Sequence, residues 1–153
     1  MIAQVGASAA LTGLIFVSVS INLTKILGLP LLPSRALTSL LMLLTVLVIS
    51  SLMLVPGQSL RLIGTEVLTL VLLVWYLTLQ LELVSWRAAA PEHRRHVRRM
   101  IVVDQVAIVP YVVAGGLLVA TKESGFYWLV PAILLSFVKA LMDAWVLLVE
   151  INR

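Results

Sequence analysis

Val67-Leu68-Thr69-Leu70-Val71-Leu72-Leu73-Val74 is the stretch whose reading decides the fold. A strand of a membrane barrel alternates polar and apolar residues, because one face meets lipid and the other the lumen. This run does not alternate, and the chain from Val67 to Leu81 carries no charge. In lipid, a continuous apolar segment must satisfy its backbone groups internally, which a helix does. Crossing the hydrocarbon takes about 20 such residues, each rising about 1.5 Å. Working outward, five segments meet that length: 4–26, 35–55, 61–86, 100–120 and 127–149. The expected fold is therefore all-α, an integral membrane bundle of five transmembrane helices, with residues 1–153 as one domain.

Composition supports the same solvent. Of 153 residues, 61% are hydrophobic and 12% charged, where a soluble domain usually carries about 25% charged residues. The mean hydropathy is +1.12. The first segment does not read as a cleaved signal peptide. No Lys or Arg precedes it, and Ala7-Ser8-Ala9 comes before the apolar run instead of after it. Cysteine is absent, which excludes disulfide and thiol chemistry.

The net charge of +4 points to membrane orientation rather than to nucleic acid, because of where the charges fall. The segment Arg87-Ala88-Ala89-Ala90-Pro91-Glu92-His93-Arg94-Arg95-His96-Val97-Arg98-Arg99 holds five arginines. Short loops rich in Lys and Arg stay in the cytoplasm. With loop 87–99 inside, Lys25, Arg35 and Arg153 are inside too, giving eight basic residues in against Arg61 and Lys122 out. The expected localisation is the cell (inner) membrane, multi-pass, with the N-terminus outside and the C-terminus cytoplasmic. Arg94, Arg95, Arg98 and Arg99 are expected to meet anionic lipid headgroups. Gly28, Pro30 and Pro33 break the chain after the first span, Ser34 can cap the second, and Ser59 can cap the third. Pro91-Glu92 suits a helix start. Tyr127 and Trp128 fall where an aromatic belt belongs.

Within the spans, polar residues are costly and mark either a site or a contact with protein. On a wheel of about 100° per residue, Ala132, Ser136, Lys139, Asp143 and Glu150 share one narrow arc of the last helix. Lys139 and Asp143, one turn apart, are expected to pair. In the third helix, Glu66, Thr69, Tyr76, Gln80 and Arg87 form a stripe expected to face inward, whereas Glu82 points the other way and is expected to snorkel or meet an arginine. The first helix has a polar face (Gln4, Ser8, Thr12, Ser18, Asn22) and a small face (Gly6, Ala9, Gly13, Ser20), the latter expected to pack against a neighbour. Asp104, Tyr111 and Gly115 share one face of the fourth helix, with Pro110 as a kink point. Asn22, Gln80, Asp104 and Asp143 are expected roughly 6–10 Å to the cytoplasmic side of the bilayer centre. The candidate polar site, or ion pathway, is thus Asn22, Glu66, Gln80, Asp104, Lys139 and Asp143.

No enzyme constellation accompanies these residues. His93 and His96 sit in the arginine run without metal-ligand companions. No Walker loop, HExxH or GxSxG occurs. A non-enzyme without metal or cofactor is expected.

Two stretches carry a family resemblance: Gly6-Ala7-Ser8-Ala9-Ala10-Leu11-Thr12-Gly13-Leu14-Ile15-Phe16-Val17-Ser18-Val19-Ser20-Ile21-Asn22-Leu23, and the segment from Tyr127-Trp128-Leu129-Val130-Pro131 to Ala144-Trp145-Val146-Leu147-Leu148-Val149-Glu150-Ile151. Together they resemble small bacterial multi-pass membrane proteins, some labelled "modulator of FtsH protease". The resemblance implies a bacterial inner membrane and, from the label, a regulatory protein partner. The residues themselves favour a small channel or transporter subunit for cations or protons, because acidic groups outnumber Lys139 in the spans. Five helices hardly enclose a pore, so a homo-oligomer is expected. The alternative is a membrane-embedded modulator that packs against a protein partner and transports nothing.

Overall fold

In the computed structural model, which describes residues 1–28 and 32–148, the chain is all-helical. Five helices are long and apolar enough to cross a membrane: α1 (Ile2–Ile21), α3 (Leu32–Leu52), α4 (Leu60–Ala88), α5 (Arg94–Val119) and α6 (Gly125–Leu148). A short helix, α2 (Leu23–Gly28), prolongs α1. The molecule is a multi-pass membrane protein. Pro30, Glu150 and Arg153, used in the sequence reading, lie outside the described residues.

The helices start and stop for local reasons. Ser59 caps α4, its hydroxyl accepting from the Leu62 amide at 3.3 Å, which satisfies one of the free donors of the first turn. Ser34 caps nothing, because α3 already begins at Leu32. Nor do Pro91 and Glu92 begin a helix: α5 starts at Arg94 after His93, which makes no side-chain cap bond. From Arg94 onward the arginine segment is helix and runs without a break into the fourth span. Arg87 lies in the last turn of α4, and Arg94, Arg95, Arg98 and Arg99 occupy the first turns of α5, all exposed. Arg94 lies over the Trp86 ring, 5.8 Å from its centre. The expected first span, 4–26, is interrupted at Asn22, where φ −104° and ψ 17° leave the helical region.

Neighbouring helices α3, α4, α5 and α6 close a ring, and α1 packs outside it against α3 and α6. The tightest crossing joins α4 to α5. At Gly64 a Cβ would stand 2.4 Å from the Val119 amide nitrogen, and at Gly115 one would stand 2.7 Å from Leu68 Cγ. Small residues let backbones approach in this way, which is how helices associate where lipid removes the hydrophobic drive. One apolar cluster, including Met42, Ile49, Val71, Ile108, Ala114 and Leu129, fills the ring away from the arginine end. A second, including Ile15, Ile26, Leu43, Ala140 and Leu147, joins α1 to α3 and α6. The outside is apolar as well: Phe16, Val130, Leu134 and Trp145 are exposed. In water such a surface would aggregate, whereas in lipid it is ordinary. Tyr127 and Trp128 are exposed at the start of α6, as a belt position requires.

Two faces differ from the sequence reading. In α1 the polar face turns inward and the small face outward: Ser8, Ile15, Ser18 and Asn22 are buried, whereas Gly6, Ala9, Gly13 and Ser20 are exposed. The cause is local hydrogen bonding. Ser8, Thr12 and Ser18 donate to carbonyls three or four residues back at 3.0, 2.7 and 2.6 Å, so their hydroxyls need no outside partner. They then pack as small residues do. In α4 the buried line is Gly64, Val67, Val71, Val74, Thr78 and Glu82. Thr69, Tyr76, Gln80 and Arg87, expected inward, are exposed, and Glu66 is half-buried. Close packing of Gly64 on α5 sets this rotation.

Candidate functional site

Four helices of the ring bring charged side chains together near its arginine end. Asp143 of α6, 1% exposed, is the hub. Its Oδ2 accepts from Lys139 Nζ at 2.5 Å one turn back, and its Oδ1 from Arg35 Nε of α3 at 2.5 Å. Ser39 Oγ also donates to Oδ2. Helix spacing explains both pairs: residues four apart share a face, so Lys139 and Asp143 on α6, and Arg35 and Ser39 on α3, each present a matched couple. Lys139 Nζ also stands 2.8 Å from Asp104 Oδ1 of α5. Asp104 thus shares the Lys139 ammonium with Asp143.

A second set adjoins the first. Gln105 of α5 donates to both carboxylate oxygens of Glu82 at 3.2 and 3.0 Å, and its own oxygen accepts from Trp75 Nε1 at 2.7 Å. Glu82, Asp104, Lys139, Arg35 and Thr38 together line a cavity of about 30 Å³. A polar space of that size holds one water molecule or two. On the other side of Arg35 and Lys139 lies a wider cleft of about 230 Å³, which His96, Arg99, Met100 and Met142 also line. The cluster is thus approached past basic groups at the arginine end. Toward the far end it is closed. Tyr111, 1% exposed, lies two turns beyond Asp104 on the same face, with its hydroxyl 3.1 Å from Ser136 Oγ. The apolar ring cluster follows.

Of the six residues expected to form one site, the structure joins three: Asp104, Lys139 and Asp143. Asn22 is buried elsewhere. Its Nδ2 donates to the Ser18 carbonyl at 3.3 Å and to the Leu147 carbonyl at 3.1 Å, which ties the end of α1 to α6. Glu66 accepts from Gln58 at 3.3 Å near the start of α4, and Gln80 lies on the exposed face. The pairing of Lys139 with Asp143 was legible from spacing. Arg35 was not, because a charge beside Pro33 reads as a loop residue, although Thr38, Ser39, Thr45 and Ser50 all lie on buried sides of α3. Glu82, expected to snorkel or to meet an arginine, is buried instead and bonded by Gln105. The 3–4 spacing that runs from Gly64 to Glu82 through valines would have turned it inward. No protein-family model, no curated protein and no solved structure matches this chain, so its function is read from this geometry.

Proposed function

We propose that the chain is a subunit of a small membrane transport protein for protons or monovalent cations, and that the charged cluster of α3, α4, α5 and α6 is its site. One observation carries this reading. Asp104, buried beside a cavity of water size, has one cation in contact among the described residues, Lys139, and shares it with Asp143. The cluster sets three carboxyl groups (Glu82, Asp104 and Asp143) against two cations (Arg35 and Lys139). In their charged forms these sum to −1, and charge at membrane depth is expensive until neutralised. A proton or a monovalent cation supplies the missing unit. The basic mouth selects between them. A metal cation must pass Arg99 and the Lys139 ammonium, whereas a proton can move along waters to Asp104. Tyr111 is the closure on the far side, and Pro110 precedes it. Proline removes a backbone donor from its helix, so α5 can bend most easily beside its own gate.

Proton flux into liposomes, read by an internal pH-sensitive dye, tests the reading. The native protein is expected to dissipate a pH gradient, and Asp104→Asn to slow it at least about tenfold, the scale set by losing a positioned proton-transfer group. Glu82→Gln is expected to slow it less. If the native protein passes neither protons nor sodium nor potassium, or if Asp104→Asn conducts normally while eluting like native protein, the transport reading fails. The rival then stands: a membrane-embedded modulator that transports nothing. The apolar seal beyond Tyr111 favours it.

For orientation, we infer that the N-terminus lies outside the cell membrane and the arginine end faces the cytoplasm. Reporter fusions should report the N-terminus outside and an insertion near Pro91 inside. Both on the same side would contradict five spans. At the cytoplasmic face, Arg94, Arg95, Arg98 and Arg99 are exposed and free to meet anionic headgroups.

A further inference from the structure

The exposed face of α4 has a period of its own. Glu66, Thr69, Leu73, Tyr76, Gln80, Leu83 and Arg87 follow one another at spacings of three and four residues, the alternation of a coiled-coil seam. Glu66 is half-buried and the other six are exposed. The seam lies opposite the line from Gly64 to Glu82 that packs into the ring. Glu66 to Arg87 is 21 residues, or about 31 Å of helix at 1.5 Å per residue, close to the thickness of the hydrocarbon. Its charged ends therefore reach the two headgroup layers, and its interior falls within them. There Tyr76, 59% exposed, and Gln80 point their polar groups away from the protomer. Acyl chains offer these groups no hydrogen bond.

We propose that this seam is the interface of a homodimer, in which α4 of one protomer packs in parallel against α4 of its partner. The occupant follows from orientation and chemistry. Two copies inserted by the same rule share one orientation, so their α4 helices meet in parallel about a two-fold axis along the membrane normal. Each seam residue then faces its own copy. Self-pairing suits side chains that both donate and accept, as Tyr76 and Gln80 do, whereas the Thr69 hydroxyl already donates to the Thr65 carbonyl at 2.7 Å. A single polar residue within such a seam also fixes its register. Gln80 is placed to do that. A 3.5-residue period gives a left-handed crossing, the usual one for membrane helices. The inference does not depend on the transport reading.

The absence of cysteine makes the test direct. Single variants Leu73→Cys, Tyr76→Cys and Gln80→Cys, oxidised in liposomes at low protein-to-lipid ratio, are expected to form disulfide dimers at least about fivefold faster than Phe16→Cys or Leu134→Cys. The last two sites are 68% and 58% exposed, but on α1 and α6. Leu79→Cys, exposed beside the seam, is expected to fall between. A second measurement does not rely on cysteine. Gln80→Leu, followed by energy transfer between labelled protomers on dilution into excess lipid, should weaken association about three- to tenfold, as loss of a hydrogen bond between membrane helices implies. Equal cross-linking at every exposed site, none at the seam, or unchanged association of Gln80→Leu with no seam preference would overturn the proposal.

Discussion

Asp143→Leu is expected to destabilise the fold by about 3–5 kcal/mol, the cost of removing one partner from a buried ion pair. It should do more damage than any other change in the charged cluster. Asp143 is 1% exposed and serves Arg35 and Lys139 at once, with Ser39 as a third donor. Leucine leaves Arg35 without a counter-charge among the described residues, whereas Lys139 keeps Asp104 at 2.8 Å. Lys139→Met reverses the situation. Asp143 retains Arg35 and Ser39, and Asp104 is stranded instead, beside the small cavity where water can reach it. The ranking is therefore Asp143→Leu worse than Lys139→Met. The double variant Lys139→Met with Asp143→Leu is not expected to restore stability, because Arg35 and Asp104 both remain. Adding Arg35→Met and Asp104→Asn should recover most of it, since a buried network replaced by packed neutral groups is often no less stable. Thermal unfolding in detergent, followed by circular dichroism, ranks the set. A Lys139→Met protein as unstable as Asp143→Leu would show that Asp143 is not the hub.

The second large effect lies at the α4–α5 crossing. Gly64→Val is expected to lower stability by about 1–3 kcal/mol, the range for overpacking a tight contact. A Cβ there would stand 2.4 Å from Val119 N and 2.8 Å from Leu118 C. Both are backbone atoms, which cannot swing aside as a side chain can. The helices would have to separate along a contact that also carries Gly115 under Leu68. Gly64→Ala should show the same sign with a smaller shift. Gly116→Ala supplies the control, because nothing lies within 4 Å of the position its Cβ would take. Replacing an open helical glycine by alanine usually stabilises slightly. Equal unfolding temperatures for Gly64→Val and Gly116→Ala would mean that the crossing is looser than described.

Span length was readable because it depends only on hydrocarbon thickness and helix rise. The runs around Val67 and Ile133 left no other solution. Side-chain facing was harder, for a physical reason. In water a polar stripe faces the solvent, whereas the sequence reading of α4 assumed that in lipid it must face the protein interior. Gly64, Val67 and Val71 decided otherwise, since backbone approach on α5 outweighed the stripe. The α6 wheel succeeded because Ala132, Ser136, Lys139 and Asp143 combine small size with polarity on a single arc, so both criteria agree. Arg35 escaped because its partner is distant in sequence: 108 residues separate it from Asp143. No local pattern encodes a pairing of that span. The same holds for Asn22, whose helix break has no proline or glycine within several residues to signal it.

That break couples α1 to α6. Asn22 holds the Leu147 carbonyl across a separation of 125 residues, so α1 finds its polar companion only once α6 is in place. Until α6 is inserted, the Asn22 amide has no interhelical partner and α1 rests on α3 alone. Closure of the bundle around α1 thus waits for the insertion of α6. A chain that stalls after α5 lacks the strand of contacts that fastens α1, and it also lacks Asp143. Such a fragment would expose, within the bilayer, both an unfastened first helix and an unpaired Arg35.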